Sequence, residues 1–432
     1  MVIALPFNLP GSDAKACSEY VSPDGAVYEY ETYGSNAETY HSVICGFSRG
    51  ASDGLMILSA LEGYKVTGIA PRSFSGCDDI LYVVIPERTE SIGGGAFSCC
   101  ESLTDVYFLG GVPSEFAEDA FDDGVIIHYI EGMPGWDSYS GRSTVCMSSG
   151  AVESPDGSSV RYSVIGDRAV ITGGNPNEGG EVILPSSIET PASGDLATAL
   201  GAWAFCGRED IADVVISPGM ETISERAFYK CASLRSVIIP DTVTVVMDEA
   251  FRECGSLGDM RLSKVRFVGF EAFRMCHALT EIRLSDGAVF IGEGAFRYCT
   301  SVERVILGGS ISEISPWLFD GCGSLDSIEI PGSVTVIGEY AFHRCESLTS
   351  VTVPGGVTKI GDRAFYGCSA LSDAYFEERI PEMGSDVFGK VSTDFCIHTA
   401  GDRETIVPLI SGAVFLAVLV LISLKLRSRE KR

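Results

Sequence analysis

The sequence is poor in the residues and motifs from which enzyme active sites are usually built. Only five histidines occur among 432 residues, and they are scattered without the spacing of metal ligands. No H-E-x-x-H or P-loop motif is present, which removes the common zinc and phosphate sites. The acidic stretch at 115–124 also lacks the ligand spacing of an EF-hand. We therefore expect no enzyme activity, no cofactor and no metal site.

Positive charge is also scarce. Lysine and arginine number 31 against 59 acidic residues, which gives a formal net charge of −28. An acidic chain of this kind repels nucleic acid and anionic lipid, so we expect no nucleic-acid partner and favour basic protein patches or cations. The N-x-S/T glycosylation signal is absent as well, which favours a bacterial or archaeal protein over a glycosylated eukaryotic ectodomain.

One phrase, in contrast, recurs about every 23 residues. The stretch AFHRCESLTSVTVP at 341–354 returns 23 residues later as AFYGCSALSDAYFE, and it is preceded 23 residues earlier by LFDGCGSLDSIEIP. The template is I-x-x-x-A-F-x-x-C-x-x-L-x-x-V-x-I-P-x-x-V. Its phenylalanine is found at Phe74, Phe97, Phe121, Phe205, Phe228, Phe251, Phe273, Phe296, Phe319, Phe342, Phe365 and Phe388.

This period predicts a solenoid. A unit of 23 residues cannot bury its own apolar side chains, but stacked units share a continuous core. The L-x-x-V-x-I part alternates apolar and polar residues, which is typical of a short half-buried strand. A proline then ends the strand, and glycines such as Gly338 permit a tight return to the A-F corner. Stacked strands of this kind are parallel and about 4.8 Å apart.

The unit I-G-x-x-A-F-x-x-C-x-S-L-x-x-V-x-I-P resembles the BspA-type leucine-rich repeat, a 23-residue class found on microbial cell surfaces. The resemblance covers about 60–140 and 196–400. It implies a right-handed, β-rich leucine-rich-repeat solenoid with a parallel sheet on its concave side, and a surface role in adhesion to host or neighbouring-cell proteins. The chain differs from commoner leucine-rich repeats because it has no asparagine ladder, and inward Phe and Cys side chains take that place.

Two segments that begin with S-P-D-G, at Ser22–Glu31 and Ser154–Val164, each precede an array and are interpreted as caps that shield its terminal core. We expect two modules, or alternatively one interrupted solenoid. The predicted domains are an N-terminal region and cap (1–59), a first repeat array (60–140), a β-rich linker or cap (141–195), a second repeat array (196–400), a linker (401–405), a transmembrane helix (406–424) and a basic cytoplasmic tail (425–432).

Nine of the fifteen cysteines occupy one template position, three residues after the phenylalanine. We interpret this column as small buried hydrophobic side chains that fill the turn. The alternatives are a metal-binding thiolate ladder or a chain of disulfides, but zinc ligands cluster around one point, and disulfides need Cβ atoms about 3.8 Å apart. The predicted structural ladder consists of Phe228, Cys231, Phe251, Cys254, Phe273, Cys276, Phe296, Cys299, Phe319, Cys322, Phe342, Cys345, Phe365 and Cys368.

Other cysteines depart from this column. Cys99 stands beside it and is the candidate for an exposed thiol, and a Cys17–Cys45 pairing is an alternative for the N-terminal cap. In the first coil of the second array, Arg208 holds the expected cysteine position, while Cys206 lies two residues earlier.

The C-terminal end reads as a membrane anchor. Residues 406–424 carry no charge and match the length of a membrane-spanning helix. The tail KLRSREKR has five basic residues and one acidic residue, which by the positive-inside rule places it in the cytoplasm and the solenoid outside the cell. Residues 1–16 have a short apolar run but lack the basic n-region and full h-region of a signal peptide. A tail-anchored protein with a cytosolic solenoid is the alternative.

Each predicted strand also points side chains away from the core, and stacking aligns them into columns on a sheet face of the kind that solenoids use for extended protein contacts. The alternative is a merely solvated polar surface. The predicted protein-binding face consists of Asp213, Val215, Ile238, Asp259, Arg261, Glu281, Arg283, Arg304 and Ile306.

These observations together predict a membrane-anchored cell-surface protein that mediates protein–protein or cell-surface adhesion through its concave sheet face. Its expected partners are proteins of host or neighbouring cells, and self-association is an open alternative. The other functions that the sequence allows are a structural or spacer protein of the cell envelope, built from self-associating repeats, and a tail-anchored cytosolic scaffold.

Overall fold

The computed structural model describes residues 18–399 apart from 22–26, 34–40, 49–53, 58–59, 62–63, 87, 131–132, 140–143, 148, 166–167 and 191–193. Cys17, the signal-like segment at 1–16 and the predicted membrane anchor at 406–424 lie outside the described residues. Among the residues that are described, no helix has the length and apolar character needed to cross a membrane. The transmembrane helix therefore stays a prediction from sequence.

The chain divides into two compact units. The first comprises Met1–Val152, Arg161–Thr172 and Ser187–Ala199, and the second comprises Glu153–Val160, Gly173–Ser186 and Leu200–Arg432. Each unit carries one of the two repeat arrays.

The first unit begins with antiparallel strands that give way to parallel ones where the repeats start. The strands are β1 (Ser18–Val21), β2 (Val27–Tyr33), β3 (His41–Ser48), β4 (Gly54–Met56), β5 (Ala60–Leu61) and β6 (Tyr64–Ile69). β3 pairs with β2 in antiparallel fashion and with β6 in parallel fashion, so it is the junction between cap and array. Phe47 of β3 packs against Phe74 of the first coil with ring centroids 5.0 Å apart. The cap thereby covers the end of the repeat core.

The first array lies between two parallel sheets, one in the order β4-β7-β9-β11-β12 and the other including β6-β8-β10. The new elements are β7 (Tyr82–Ile85), β8 (Ser91–Ile92), β9 (Asp105–Phe108), β10 (Glu115–Phe116), β11 (Ile126–Tyr129), a short 3-10 helix (Trp136–Ser138) and β12 (Thr144–Cys146). Trp136 is buried, packs against Phe108 and donates an indole hydrogen bond of 2.9 Å to the Gly110 carbonyl. This tryptophan closes the array with a large apolar ring.

Six strands follow between the arrays: β13 (Ser149–Glu153), β14 (Ser159–Ile165), β15 (Arg168–Asn175), β16 (Glu181–Leu184), β17 (Ser187–Thr190) and β18 (Gly194–Leu200). β17 and β18 form an antiparallel pair. β16 instead pairs in parallel with the first long strand of the second array, Asp213–Ile216, and so it serves as that sheet's first rung.

The second array repeats a strand of two to four residues and then a two-residue strand from coil to coil, and all pairings between consecutive coils are parallel. Its strands are β19 (Asp213–Ile216), β20 (Thr222–Ile223), β21 (Ser236–Ile238), β22 (Val245–Val246), β23 (Asp259–Met260), β24 (Phe267–Val268), β25 (Glu281–Arg283), β26 (Phe290–Ile291), β27 (Arg304–Ile306), β28 (Glu313–Ile314), β29 (Ser327–Ile328), β30 (Val336–Ile337), β31 (Ser350–Val353), β32 (Lys359–Ile360), β33 (Asp373–Phe376), β34 (Glu382–Met383) and β35 (Cys396–Thr399). The predicted parallel-sheet solenoid is confirmed.

A column of stacked phenylalanine rings runs through the core of the second array. From Phe205 to Phe388 each ring is buried and lies face to face with the next, with centroids 5.0–6.0 Å apart. An aromatic side chain buries a large apolar area, and near-parallel rings at this spacing add a favourable contact between coils. The 23-residue period keeps every ring above the one before it.

The corner that holds the phenylalanine turns sharply in every coil of the second array. The residues two before and two after the ring have positive φ angles, such as 53° at Glu249 and 64° at Glu253 around Phe251. A left-handed conformation costs a residue other than glycine about 1–2 kcal/mol, so the shared core must offset this strain. Gly338 has a different role: a Cβ atom there would lie 2.5 Å from the backbone nitrogen of Pro316. Glycine is needed at this position because neighbouring coils approach closely.

Candidate protein-binding face

The cysteine column forms a ladder of hydrogen bonds between coils. Each thiol of the second-array column donates to the carbonyl oxygen of the phenylalanine in the preceding coil at 3.0–3.3 Å, as from Cys254 to Phe228 at 3.0 Å. Burial raises the pKa of Cys231 and Cys299 to about 12. The thiols therefore stay protonated, which suits a hydrogen-bond donor and prevents their acting as nucleophiles or metal ligands. Among the described residues, no cluster of His, Cys, Asp or Glu could hold a metal ion.

The remaining described cysteines are also free thiols. Cys99 is exposed, as is Cys146, and Cys99 adopts a left-handed conformation with φ of 58°. The alternative pairing of Cys45 involves Cys17, which lies outside the described residues.

Arg208 takes over the ladder's role in the first coil of the second array. Its guanidinium donates to the carbonyl of Gly174 in the cap, and a bidentate contact with Asp210 at 2.7 and 2.8 Å holds it in place. No earlier phenylalanine is available there, so a longer side chain reaches the cap instead. The departure from the template that the sequence shows at this position thus has a structural reason.

The sheet face of the second array, defined as the outward side chains of β19, β21, β23, β25, β27, β29, β31, β33 and β35, carries the predicted binding residues. Parallel pairing places Asp213 beside Ser236 and Val215 beside Ile238. Ile238 is 61% exposed, which is unusual for an isoleucine in a strand. The Asp213 carboxylate accepts hydrogen bonds from Ser236 at 2.7 Å and Arg235 at 2.8 Å. These bonds lower the pKa of Asp213, so it is ionised at neutral pH.

The charged residues farther along this face are exposed as well. Arg283 donates to Glu281 at 2.8 Å, with their side chains 60% and 43% exposed. Register pairs Glu281 with Arg304 and Arg283 with Ile306. Arg261 is exposed, and Asp259 is the first residue of β23. By strand position the nine predicted residues thus fall into two adjacent columns on consecutive coils.

A shallow cleft of about 430 Å³ opens at the N-terminal end of this face. Asn177 shapes one wall, because its side-chain oxygen accepts hydrogen bonds from the backbone nitrogens of Gly179 and Glu181, and its amide donates to Asp156. Sequence reasoning missed this wall, although the turn-forming string N-P-N-E-G-G was a usable signal. The cleft is lined by Asn177, Gly179, Glu181, Asp213, Val214, Val215, Ser236 and Ile238.

The corresponding face of the first array is covered by the chain itself. Val84 and Tyr107 occupy the template position of Ile238, but they form one buried cluster with Met147, Ile165 and Val170. The last two residues come from β14 and β15, and both are 3% exposed. Only the second array therefore presents this template position to solvent as a large exposed isoleucine.

A network of buried charges at the phenylalanine corner also escaped the sequence reasoning. Arg226 contacts Glu249, which is bonded to Arg252 at 2.9 Å, and Arg252 reaches Glu271 at 2.7 Å. Trp203 caps the network, with the Arg226 guanidinium 4.6 Å from its ring centroid. The residues two before and one after Phe251 and Phe273 carried the signal, because each of these positions pairs a glutamate with an arginine three residues later.

These features define a leucine-rich-repeat solenoid with one open sheet face. The sequence model of the BspA type leucine rich repeat region matches residues 60–131, 186–283 and 266–393 in 6 copies. The chain therefore belongs to the BspA-type leucine-rich repeat family, as the template indicated.

Solved structures with similar folds come from several bacteria. A leucine-rich repeat protein of Bacteroides ovatus is 24% identical over 56% of this chain and 75% of its own, with a TM-score of 0.47. A leucine rich cell surface protein of Faecalibacterium prausnitzii is 20% identical over 92% of this chain and 99% of its own, with a TM-score of 0.27. The pneumococcal vaccine antigen PcpA is 12% identical over 88% and 87%, with a TM-score of 0.30. No curated protein sequence matches the chain.

Proposed function

We propose that this chain is a membrane-anchored cell-surface protein that binds proteins of host or neighbouring cells through the sheet face of its second array. Its membership of the BspA-type family supports a protein-binding role. The uncharged segment at 406–424 and the basic tail after it support an anchor with the solenoid outside the cell.

The observation that carries the binding proposal is the exposure of Ile238 on an otherwise well-packed sheet. A contact with another protein would bury this side chain, and it lies beside the ionised Asp213 and near exposed arginines. Apolar anchors ringed by polar and arginine side chains are typical of the energetic centre of an interface. With coils about 4.8 Å apart, nine coils offer a face about 40 Å long, which is long enough for a standard interface of about 800 Å² per partner.

Surface display is tested on intact cells that express the full chain. A membrane-impermeant maleimide should label the exposed Cys99 and Cys146 without permeabilisation, and a Cys99→Ser/Cys146→Ser variant should lose most of that signal. Labelling that requires permeabilised cells would exclude display, and it would turn the search to cytosolic partners.

A tail-anchored scaffold facing the cytosol is the second candidate. It is favoured by one observation: all 14 described cysteines are free thiols, which is the usual state of cysteine in a reducing compartment. The labelling experiment separates the two topologies directly.

A further inference from the structure

The last strands of the first array hold an aspartate, a tyrosine and a histidine in a compact arrangement. His128 of β11 contacts the Asp105 carboxylate of β9 through Nε2 at 2.7 Å. The same imidazole stacks on Tyr107, with ring centroids 4.5 Å apart and an interplanar angle of 15°. The hydrogen bond fixes the imidazole, and the imidazole in turn supports one face of the tyrosine ring.

The second array ends with the same arrangement. His398 of β35 contacts Asp373 of β33 through Nε2 at 2.7 Å, and it stacks on Tyr375 at 4.5 Å and 13°. Tyr375 lies ten residues after its array phenylalanine, as Tyr107 does. The chain has thus built one aromatic platform twice.

The two platforms differ in what covers them. Tyr107 is 8% exposed because it is packed in a cluster with Met147, Ile165 and Val170, whereas Tyr375 is 43% exposed. The aspartate and histidine partners of the two tyrosines are equivalent, whereas Val84 lies beside Tyr107 and Thr352 beside Tyr375 in the preceding coil. The buried cluster, including the residues from β14 and β15, accounts for the lower exposure of Tyr107. An exposed ring that is held rigid by a stacked imidazole loses little conformational entropy when it is covered.

The cover of the first platform shows what kind of structure fits such a surface. Ile165 and Val170 belong to consecutive, hydrogen-bonded strands, β14 and β15, whose ends are separated by two residues. Two strands joined so closely form a β-hairpin. We call residues 161–165 and 168–172 the strap. It contributes one apolar side chain from each strand to the buried cluster that contains the tyrosine.

We propose that the exposed Tyr375–His398 platform is a docking site for a β-hairpin of a partner protein, which places two apolar side chains on Tyr375 as the strap does on Tyr107. This inference rests on the proposed protein-binding function and names the structural class of the partner segment. The platform includes acidic Asp373, and exposed Glu329 lies two coils away in the column of Tyr375, so basic residues beside the apolar pair would complement it.

A second copy of this chain is a poor source of the hairpin. Its own Ile165 and Val170 are already 3% exposed, and to present them the copy would have to open its first array. The partner is therefore a different protein with a free hairpin.

The experiment measures binding of a fluorescent, end-to-end disulfide-cyclised peptide of residues 161–172 to the full chain by anisotropy. Saturable binding is expected. The Tyr375→Ser variant should bind about tenfold more weakly or worse, because it loses the apolar platform. Tyr375→Phe is the matched control and should bind as the wild type does. A peptide with Ile165→Ser and Val170→Ser should not bind.

Three results would overturn the proposal. The first is an absence of saturable binding. The second is equal affinity of Tyr375→Ser and wild type, which would mean that the peptide only displaces the strap from the first array. The third is a dimer in sedimentation that Tyr375→Ser dissociates, which would assign the site to a second copy. Surface labelling of Cys99 and Cys146 is independent of Tyr375. A failure of display and a failure of the hairpin site are thus told apart.

Discussion

The thiol of Cys299 donates a hydrogen bond of 3.1 Å to the carbonyl oxygen of Phe273, one coil earlier. The same bond recurs along the array, so a side chain of one coil satisfies a buried backbone acceptor of the previous one. The Phe273 carbonyl also accepts the backbone N–H of Cys276 at 3.1 Å within its own coil, so the thiol adds a second bond that links the two coils. The cysteine column thereby does for this repeat what an asparagine ladder does for commoner leucine-rich repeats.

Removing the thiol should therefore cost more than its volume. We expect Cys299→Ala to lower the free energy of unfolding by about 1–2 kcal/mol, because it leaves a small cavity and removes one of the two hydrogen bonds to the Phe273 carbonyl. Cys299→Ser should cost less, since its hydroxyl still donates. Urea unfolding followed by circular dichroism measures both. Equal losses for alanine and serine would show that the hydrogen bond contributes nothing.

Alkaline pH should destabilise the array. Burial raises the pKa of Cys299 from 9.0 to about 12, so the folded state keeps a proton that the unfolded chain releases above pH 9. The stabilising contribution is complete below pH 9 and is lost as the pH rises towards 12. Each such thiol contributes a slope of up to about 1.4 kcal/mol per pH unit. Urea midpoints at pH 8, 9 and 10 should fall, and less steeply in Cys299→Ser; identical slopes in both proteins would contradict this explanation.

The buried ion pair between Arg226 and Glu249 should be costly to break from one side. Both side chains are at most 5% exposed, and Glu249→Ala would leave the guanidinium buried without this carboxylate. A loss of about 3–5 kcal/mol is expected, as for other buried pairs. The double variant Arg226→Met/Glu249→Leu should be milder, because both charges of this pair are removed. Arg252 keeps Glu271 as its partner, and Glu225 loses only its 3.4 Å contact with Arg226. Thermal unfolding compares the two, and a double variant as unstable as the single one would be the opposite result.

Loss of Arg208 should loosen the cap of the second array. Arg208→Ala removes the hydrogen bond to the Gly174 carbonyl and the contact with Asp210. Hydrogen exchange of the amides in β16 should become about tenfold faster or more, which corresponds to the loss of one charge-assisted hydrogen bond. Arg283→Ala, which removes an exposed arginine paired with Glu281, is the control and should leave that exchange unchanged. Unaltered hydrogen exchange of the β16 amides in Arg208→Ala would show that this arginine does not stabilise the cap.

Binding by the second array should depend on Ile238. Ile238→Asp should reduce adhesion of displaying cells to cultured epithelial cells or neighbouring bacteria by about tenfold, because it puts an uncompensated charge at the centre of the interface. Val289→Asp is the matched control, since Val289 is 50% exposed but lies outside the sheet face. Both variants should unfold at the wild-type temperature. Equal adhesion of the two variants would place the binding surface elsewhere.

The repeating part of this protein can be predicted from its sequence because every coil meets the same neighbours. The period places Phe251 next to Phe228 in the stack, and it places Cys254 at the cysteine position of the same coil. Alternation in the strand fixes which side chains point outward. A residue such as Ile238 is therefore assigned to its column without any knowledge of distant contacts.

What the sequence by itself determined is the solenoid, its inner lining and the columns of its sheet face. What only the tertiary structure decided is which columns are open. Tyr107 and Tyr375 occupy one template position, yet the strap covers the first and leaves the second exposed. The acceptor of Arg208 in the cap is likewise invisible in the pattern. Both are single contacts between segments that do not repeat, and periodicity carries no information about an interaction that occurs once.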